Sequence, residues 1–438
     1  MHRIGSEYFL HNDSRLLFKY FDNQANTIIY SYISSLFVSV ISVNDYFIFR
    51  ISALIGSIVL LIYLSFLRDI RILVIVGLNP LIWIYSGRAY PEMLSLGFMV
   101  LAIGLGGNVY LKSGLGLFSV FVKYHSLPCI VLHSVFSYMF QCFKNKKIYF
   151  NDHFKSSLIL SVGFLIFLLM YFNLFNVWII PPRFSSLQFN LDFSSFLKNF
   201  FSYGYYLSAM FFLTIPAFLK SEKIYIKVFL LAVSTLLAVY NQNLGEMDFG
   251  VFNQFIGEEV ILLVKIFGFW NFLVCCQTFW KDEKSCIMLL TILGYIILLS
   301  FTRPVNRYLI FVIPFWAILV CQHISISRYY WWTYVSILLG LNFFATLYQV
   351  SNASAAASIA NWAVKNNISV VLDGVSRAHI GDFSHYDEYS NYEVRFERNE
   401  SRELLHKETV SVLGITLGSY VLKKIKNPVL YREKYIYK

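Results

Sequence analysis

The sequence predicts an all-α polytopic membrane protein of about 12 passes that ends in a small extracytoplasmic α/β domain. Three observations carry that expectation. Hydrophobic residues make up 57% of the 438 and charged residues only 14%, with a mean hydropathy of +0.59. Apolar runs recur through residues 47–348 at lengths that suit a bilayer, which takes roughly 20 residues per helical pass. From residue 349 the pattern changes, and charges of both signs become dense. A soluble domain of this size carries far more charge, so the membrane class is the default.

Composition also closes off other classes. The net charge of +11 would suggest nucleic acid in a soluble chain, but here the basic residues collect in short loops, as membrane orientation requires. No nucleic-acid partner is expected. Aromatic residues reach 19%, with 43 Phe and 31 Tyr, and read mainly as lipid-facing and packing bulk with some interfacial belts. The six Cys show no metal or redox spacing and lie in or beside apolar runs, as small buried hydrophobes do.

The elements follow in order. Segment 27–43 is apolar but carries Ser and Tyr, and reads as a juxtamembrane helix at the outer surface, so that residues 1–46 form an external N-terminal region. Residues 1–25 lack the basic and apolar regions of a cleavable signal. Candidate spans are 47–67, 72–86, 94–111, 115–141, 156–176, 204–219, 226–240, 257–276, 286–301, 307–323 and 331–348. The run 115–141 is too long for one helix and holds Lys123, His125 and Pro128 in its middle, so it splits into 115–123 and 126–141. In residues 349–438, Ser351 to Val364 reads as a helix, Ser369 to Leu372 as a strand, and 409–422 and 428–437 as further strands. Asp373, His379, Asp382, His385 and Asp387 fit no metal-ligand spacing well and read as surface residues.

Orientation follows from the loops. Loops 68–71, 143–147, 220–227 and 281–284 hold Arg68, Arg71, Lys144, Lys146, Lys147, Lys220, Lys223, Lys227, Lys281 and Lys284, all on one side. The positive-inside rule makes that side cytoplasmic. The other side receives residues 1–25, 87–92, 123–125, 177–203, 241–256, 301–306 and the C-terminal domain. Three polar clusters therefore share the outer face: Gly87-Arg88-Ala89-Tyr90-Pro91-Glu92, Lys123-Tyr124-His125, and Arg303-Pro304-Val305-Asn306-Arg307-Tyr308. Charge is expensive at membrane depth and commonly marks a working site.

These pieces, in this order, resemble the GT-C superfamily of polyprenyl-phosphate-sugar-dependent glycosyltransferases, in the branch that holds protein O-mannosyltransferases and the aminoarabinose transferase of lipid A. That branch has an acidic residue in its first external loop, here Asp13, ahead of an aromatic surface helix. An Arg-containing helix start follows, here Phe47-Ile48-Phe49-Arg50-Ile51-Ser52-Ala53-Leu54. Leu78-Asn79-Pro80-Leu81 through Tyr85 to Glu92 is similar to the family's Pro-containing helix that ends in a polar turn and an acid. Gly114-Leu115-Gly116 to Lys123-Tyr124-His125 looks like its Gly-rich short helix ending in Lys-Tyr, and Arg307-Tyr308-Leu309-Ile310 with Pro314 like its Arg-Tyr-Leu…Pro helix. The resemblance covers residues 8–348. In two places the chain departs from the family. No span precedes Asp13 in these residues, and Ser14 stands where many relatives carry a second acid.

The resemblance implies sugar transfer from a polyprenyl-phosphate donor to a glycan, lipid or protein acceptor at a bacterial inner membrane, on its extracytoplasmic face and with inversion. Such chemistry needs a base for the acceptor hydroxyl and cations for the departing phosphate. Asp13 and Glu92 are the implied catalytic acids, with Arg88, Lys123, His125, Arg303, Arg307 and Tyr308 on the donor and its phosphate. Glu92 also reads as a helix-capping residue, and His125 as an interfacial one. Glu258 and Glu259 open a helix and read as caps. No cofactor is assigned, and a divalent cation is left open. Two rivals remain. An O-antigen-type polysaccharide polymerase usually places its largest external loop mid-chain, whereas here the largest soluble segment is C-terminal. A lipid-linked glycan transporter needs charge deep inside spans and a repeat between halves; neither is evident, and the charged clusters sit at helix ends. An ER membrane is the alternative location, for which Asn352-Ala353-Ser354, Asn367-Ile368-Ser369 and Asn399-Glu400-Ser401 would be glycosylation sequons.

Overall fold

The computed structural model describes residues 9, 27–41, 48–87, 90–105, 107–147, 150–176, 178, 192–212, 224–240, 258–302, 305–372, 390–397 and 404–425. Fourteen helices precede a sheet among these residues: α1 Ile29–Ile41, α2 Ile48–Phe66, α3 Ile70–Gly77, α4 Pro80–Ser86, α5 Pro91–Gly104, α6 Val109–Val122, α7 Ser126–Asn145, α8 Asp152–Phe175, α9 Phe193–Ala209, α10 Ile224–Tyr240, α11 Glu258–Thr278, α12 Glu283–Ser300, α13 Ile313–His323 and α14 Arg328–Lys365. Short 3-10 turns occupy Phe279–Lys281 and Asn306–Phe311. Within α7, α8, α11, α12 and α14 the chain is long and apolar enough to cross a membrane, by length and composition. Six further apolar helices have 10–17 residues and are shorter than a crossing needs. The chain is thus mostly helical and compatible with a membrane protein.

The expected spans are broken by local chemistry. Residues 72–86 form two helices because Pro80 has no N–H to donate back into α3. Asn79 instead caps α4, its Oδ1 accepting from the Leu81 N–H at 3.0 Å. The 115–141 run does split at Lys123–His125, but its first half begins earlier, where Asn108 accepts from the Tyr110 and Leu111 amides. The 94–111 span ends at Gly104, and residues 204–209 of the 204–219 span close α9, capped by Asp192 through the Ser195 N–H, while 213–219 lie outside the described residues. Residues 307–323 open as a 3-10 turn before α13. Of the segment read as a juxtamembrane helix, 27–43, residues Ile29–Ile41 form α1. α1 packs into the bundle, with Thr27, Tyr30, Ser31 and Ser34 fully buried, and the Thr27 hydroxyl donates to the Phe121 and Val122 carbonyls at the end of α6.

One end of the helical unit is tied by ion pairs. Asp69 caps α3 and binds Arg71, whose Nη2 reaches the Cys321 carbonyl of α13 at 3.2 Å. At that same end His323 meets Ser285 Oγ at 2.6 Å and Asp282 at 3.3 Å, and Lys144 meets Glu283 at 3.2 Å. The starts of α5 and α7 and the ends of α6 and α12 lie at the opposite end of these antiparallel helices.

From Leu339 the chain belongs to a second compact unit. The boundary read at 348/349 falls inside α14, so the expected 351–364 helix continues the preceding run without a break. Ala356, Ile359 and Ala363 of α14 pack on Val394, Val410, Tyr420 and Leu422 of a four-stranded sheet in the order β1-β2-β4-β3, where β1 is Val371–Leu372, β2 Tyr392–Glu397, β3 His406–Val412 and β4 Ile415–Lys424. β1 runs parallel to β2, and the other two pairs are antiparallel. The single strand expected at 409–422 is a hairpin, and β2 was not anticipated. Residues 428–437, Asp373, His379, Asp382, His385 and Asp387 lie outside the described residues. Asn352 is 1% exposed and accepts a hydrogen bond from the Tyr420 hydroxyl at 2.6 Å, so this sequon is closed to glycosylation in the folded unit.

The hairpin turn is strained at one position. Leu413 and Gly414 both have positive φ, 51° and 81°, the two-residue arrangement that favours Asn-Gly. Leu413 is 75% exposed and gives up little packing. Leu413→Asn is therefore expected to stabilise this unit by about 0.5–1 kcal/mol. Amide exchange across β3 and β4 in the full chain should slow accordingly, and faster exchange would contradict the turn assignment.

Candidate functional site

Three segments meet at the end of the helical unit opposite the ion-paired one. Tyr90 is extended, Pro91 takes the first helical position of α5, and Glu92 follows in its first turn. Lys123 leaves α6 in an extended conformation, and α7 restarts at Ser126, whose hydroxyl donates to the Lys123 carbonyl at 3.0 Å. Arg307 and Tyr308 sit in the 3-10 turn before α13. A reciprocal serine pair brings the first two segments together. Ser95 Oγ donates to the Ser119 carbonyl at 2.9 Å, and Ser119 Oγ to the Ser95 carbonyl at 2.7 Å. Ser95 lies three residues after Glu92 and Ser119 four before Lys123, one helical turn in each case, so fixing the serines fixes the two charges.

Glu92 is the hub. Its Oε1 is 3.7 Å from Lys123 Nζ and 3.6 Å from Arg307 Nε. The Glu92 and Lys123 side chains are each 1% exposed, whereas Arg307 is 30% exposed and gives the cluster its open side. Both cations also face aromatic rings. Lys123 Nζ lies over Tyr124 and Tyr308 at 5.5 and 5.7 Å, and the Arg307 guanidinium over Tyr308 and Tyr90 at 5.3 and 5.9 Å. His125 stacks on Tyr308 with centroids 3.9 Å apart. Burial, with the Lys123 and Arg307 charges nearby, holds the His125 imidazole well below its ordinary pKa range, so it is neutral. Two cations then face one carboxylate, and the cluster keeps a net positive charge.

Hydrogen-bonding capacity is left over. Glu92 Oε2, His125 Nδ1 and Arg307 Nε are buried and have no hydrogen-bond partner among the described residues. The ion-pair distances are too long for strong direct hydrogen bonds, which run ~2.7–2.9 Å when charge-assisted. A pre-paired structural salt bridge would be closer and better satisfied.

Of the residues singled out from sequence, Glu92, Lys123, His125, Arg307 and Tyr308 converge here. Asp13, Arg88 and Arg303 lie outside the described residues. Lys123, expected on the donor phosphate, is 1% exposed and has its Nζ 3.7 Å from Glu92 Oε1. Sequence reasoning gave no role to Tyr30, which is fully buried on α1 within electrostatic reach of Glu92, or to Ser95 and Ser119. The only signal for the serines was polar spacing inside apolar helices. Lys265 corrects another expectation. It lies inside α11, 7% exposed and 5.8 Å from the Tyr205 ring centroid, so charge is not confined to helix ends. No group of His, Cys, Asp and Glu among the described residues could hold a metal ion. No protein-family model, curated protein or solved structure matches the chain at a significant level.

Proposed function

We propose that the chain is an integral membrane glycosyltransferase of about 12 passes, acting at its extracytoplasmic face on a polyprenyl-phosphate sugar donor. The observation that carries this reading is the cluster of Glu92, Lys123 and Arg307, net positive, with Glu92 Oε2, His125 Nδ1 and Arg307 Nε buried and short of hydrogen-bond partners beside a partly exposed Arg307 side chain. A phosphate would bind Arg307 and His125 there with charge-assisted hydrogen bonds. In the reaction, a base takes the acceptor hydroxyl proton and the acceptor oxygen attacks the anomeric carbon. The bond from that carbon to the phosphate oxygen breaks, and the phosphate leaves with the electron pair. Arg307 stabilises the charge that grows there, and Lys123 supports it through Glu92. The resemblance gives the base role to Asp13, and Glu92 stands as the counter-ion of Lys123 and Arg307.

A transport reading has one observation in its favour, the charge of Lys265 inside α11. The same experiment separates the two. Full-length protein in nanodiscs is supplied with labelled polyprenyl-phosphate sugars and membrane extract as acceptor, alongside an Arg307→Gln variant. Label moving to acceptor with wild type alone supports the transferase. Binding of the lipid without transfer, and labelled lipid crossing the bilayer, would replace it with transport. Loss of the Arg307 contact should weaken donor binding at least tenfold, since a hydrogen bond to a charged group is worth about 1.5–3 kcal/mol.

A further inference from the structure

Arg307 is held from a helix that carries none of the charged residues of the cluster. On α9, Asn199, Tyr203 and Tyr206 follow one another at i, i+4 and i+7 and so share one face. All three are buried, at 4%, 0% and 5% exposure. Each bonds the segment that leads into Arg307. Asn199 Nδ2 donates to the Ser300 and Thr302 carbonyls, both at 3.1 Å. The Val305 N–H donates to the Tyr203 hydroxyl at 3.0 Å, and Asn306 Nδ2 donates to the Tyr206 hydroxyl at 3.2 Å. From α12, the Tyr295 hydroxyl donates to the Tyr308 carbonyl at 3.2 Å. The bonds from α9 and α12 thus bracket Arg307 on both sides in sequence.

A 3-10 turn has poorer hydrogen-bond geometry than an α-helix and holds its shape less well unaided. Arg307 stands at the second residue of such a turn, and its side chain must meet Glu92 at the far side of the cluster. Phenylalanine would satisfy the packing at 203 and 206 equally well. The hydroxyls are spent on the backbone of Val305 and the side chain of Asn306, which is what register control requires.

We propose that the Asn199–Tyr203–Tyr206 face of α9 positions Arg307 against Glu92 and thereby sets the affinity of the site for a phosphate anion. The affinity part rests on the anion-binding reading above. These are positioning residues, acting through Arg307. The test is a double-mutant cycle of Tyr203→Phe with Arg307→Gln in full-length protein, read as binding of undecaprenyl phosphate in nanodiscs. Tyr203→Phe alone should weaken binding about tenfold, a loss of about 1.4 kcal/mol. In the Arg307→Gln background the same change should have no further effect. Equal losses in both backgrounds would overturn the proposal, because a general packing defect does not depend on Arg307. Amide exchange at residues 305–308 is measured on the same samples. It should quicken in Tyr203→Phe while α12 stays protected, and unchanged exchange also overturns the proposal. Should wild type bind no undecaprenyl phosphate, the anion reading fails by itself, and exchange alone decides the positioning. If Tyr203→Phe does not fold, Tyr206→Phe, which removes the bond from Asn306, takes its place in the cycle.

Discussion

Replacing Glu92 with Gln is expected to destabilise the unliganded protein by about 3 kcal/mol while tightening its hold on a phosphate. The two effects share one cause. Lys123 is 1% exposed and has Glu92 as its carboxylate at 3.7 Å. With that charge gone, an ammonium stays buried against Tyr124 and Tyr308, and cation–π attraction offsets only part of the lost pairing. Arg307 suffers less, because its partial exposure lets water replace the carboxylate. Gln keeps the shape, so the loss is electrostatic and no cavity is added. With the carboxylate neutralised, the site presents two cations to an incoming anion instead of two cations and a competitor. Undecaprenyl phosphate should therefore bind Glu92→Gln more tightly and raise its unfolding midpoint by more than it raises that of wild type. Chemical unfolding in mixed micelles, with and without the lipid, measures both. An unchanged unliganded stability would sink the buried cluster as an energetic unit. Weaker binding would mean that Glu92 itself touches the ligand.

The convergence of Glu92, Lys123 and Arg307 was legible in the sequence because charge is rare in this chain. Apolar runs and loop charges put the three clusters on one face as an expectation, and the described residues of all three meet at one end of the helical unit. The internal geometry of the cluster was not legible. Lys123 and Arg307 look alike in sequence, and only packing shows that one is enclosed and the other open. The breaks at Asn79-Pro80 and around Lys123 follow from proline and from polar residues inside apolar runs. The continuity of α14 through residue 349 was hidden, since composition changes there while helical periodicity does not. The Leu413-Gly414 turn was hidden for the opposite reason. Leucine is a poor residue for positive φ, so nothing in 409–422 announced a reversal. Roles for Tyr203, Tyr206 and Tyr295 could not be drawn from a chain with 31 tyrosines.

The largest structural effect is expected at a position with no side chain at all. α2 and α5 touch through their backbones at Gly56 and Gly97. A Cβ at Gly56 would collide with the Met93 carbonyl oxygen and lie 2.5 Å from the Leu94 nitrogen. At Gly97 it would strike the Gly56 carbonyl oxygen and lie 3.1 Å from its carbon. Backbone cannot swing aside as a side-chain tip can, so the helices must part. Small residues that allow such close approach are the usual means of joining helices in a membrane, where apolar burial against lipid contributes little. Gly97→Ala should therefore cost about 3 kcal/mol, the upper end for overpacking, and Gly97→Val should prevent folding. The damage is also directed at the site. Glu92 precedes Met93 and Leu94, the residues against Gly56, so parting α2 from α5 draws the carboxylate away from Lys123 and Arg307. Gly114→Ala is the control. It lies within α6, where an added Cβ would meet nothing within 4 Å, and should stabilise by up to about 1 kcal/mol through helix propensity alone. Thermal unfolding of the three variants in one detergent, with undecaprenyl phosphate binding read on each folded sample, decides the matter. Gly97→Ala as stable as Gly114→Ala would remove the close backbone contact. Gly97→Ala destabilised but binding normally would separate that contact from the placement of Glu92.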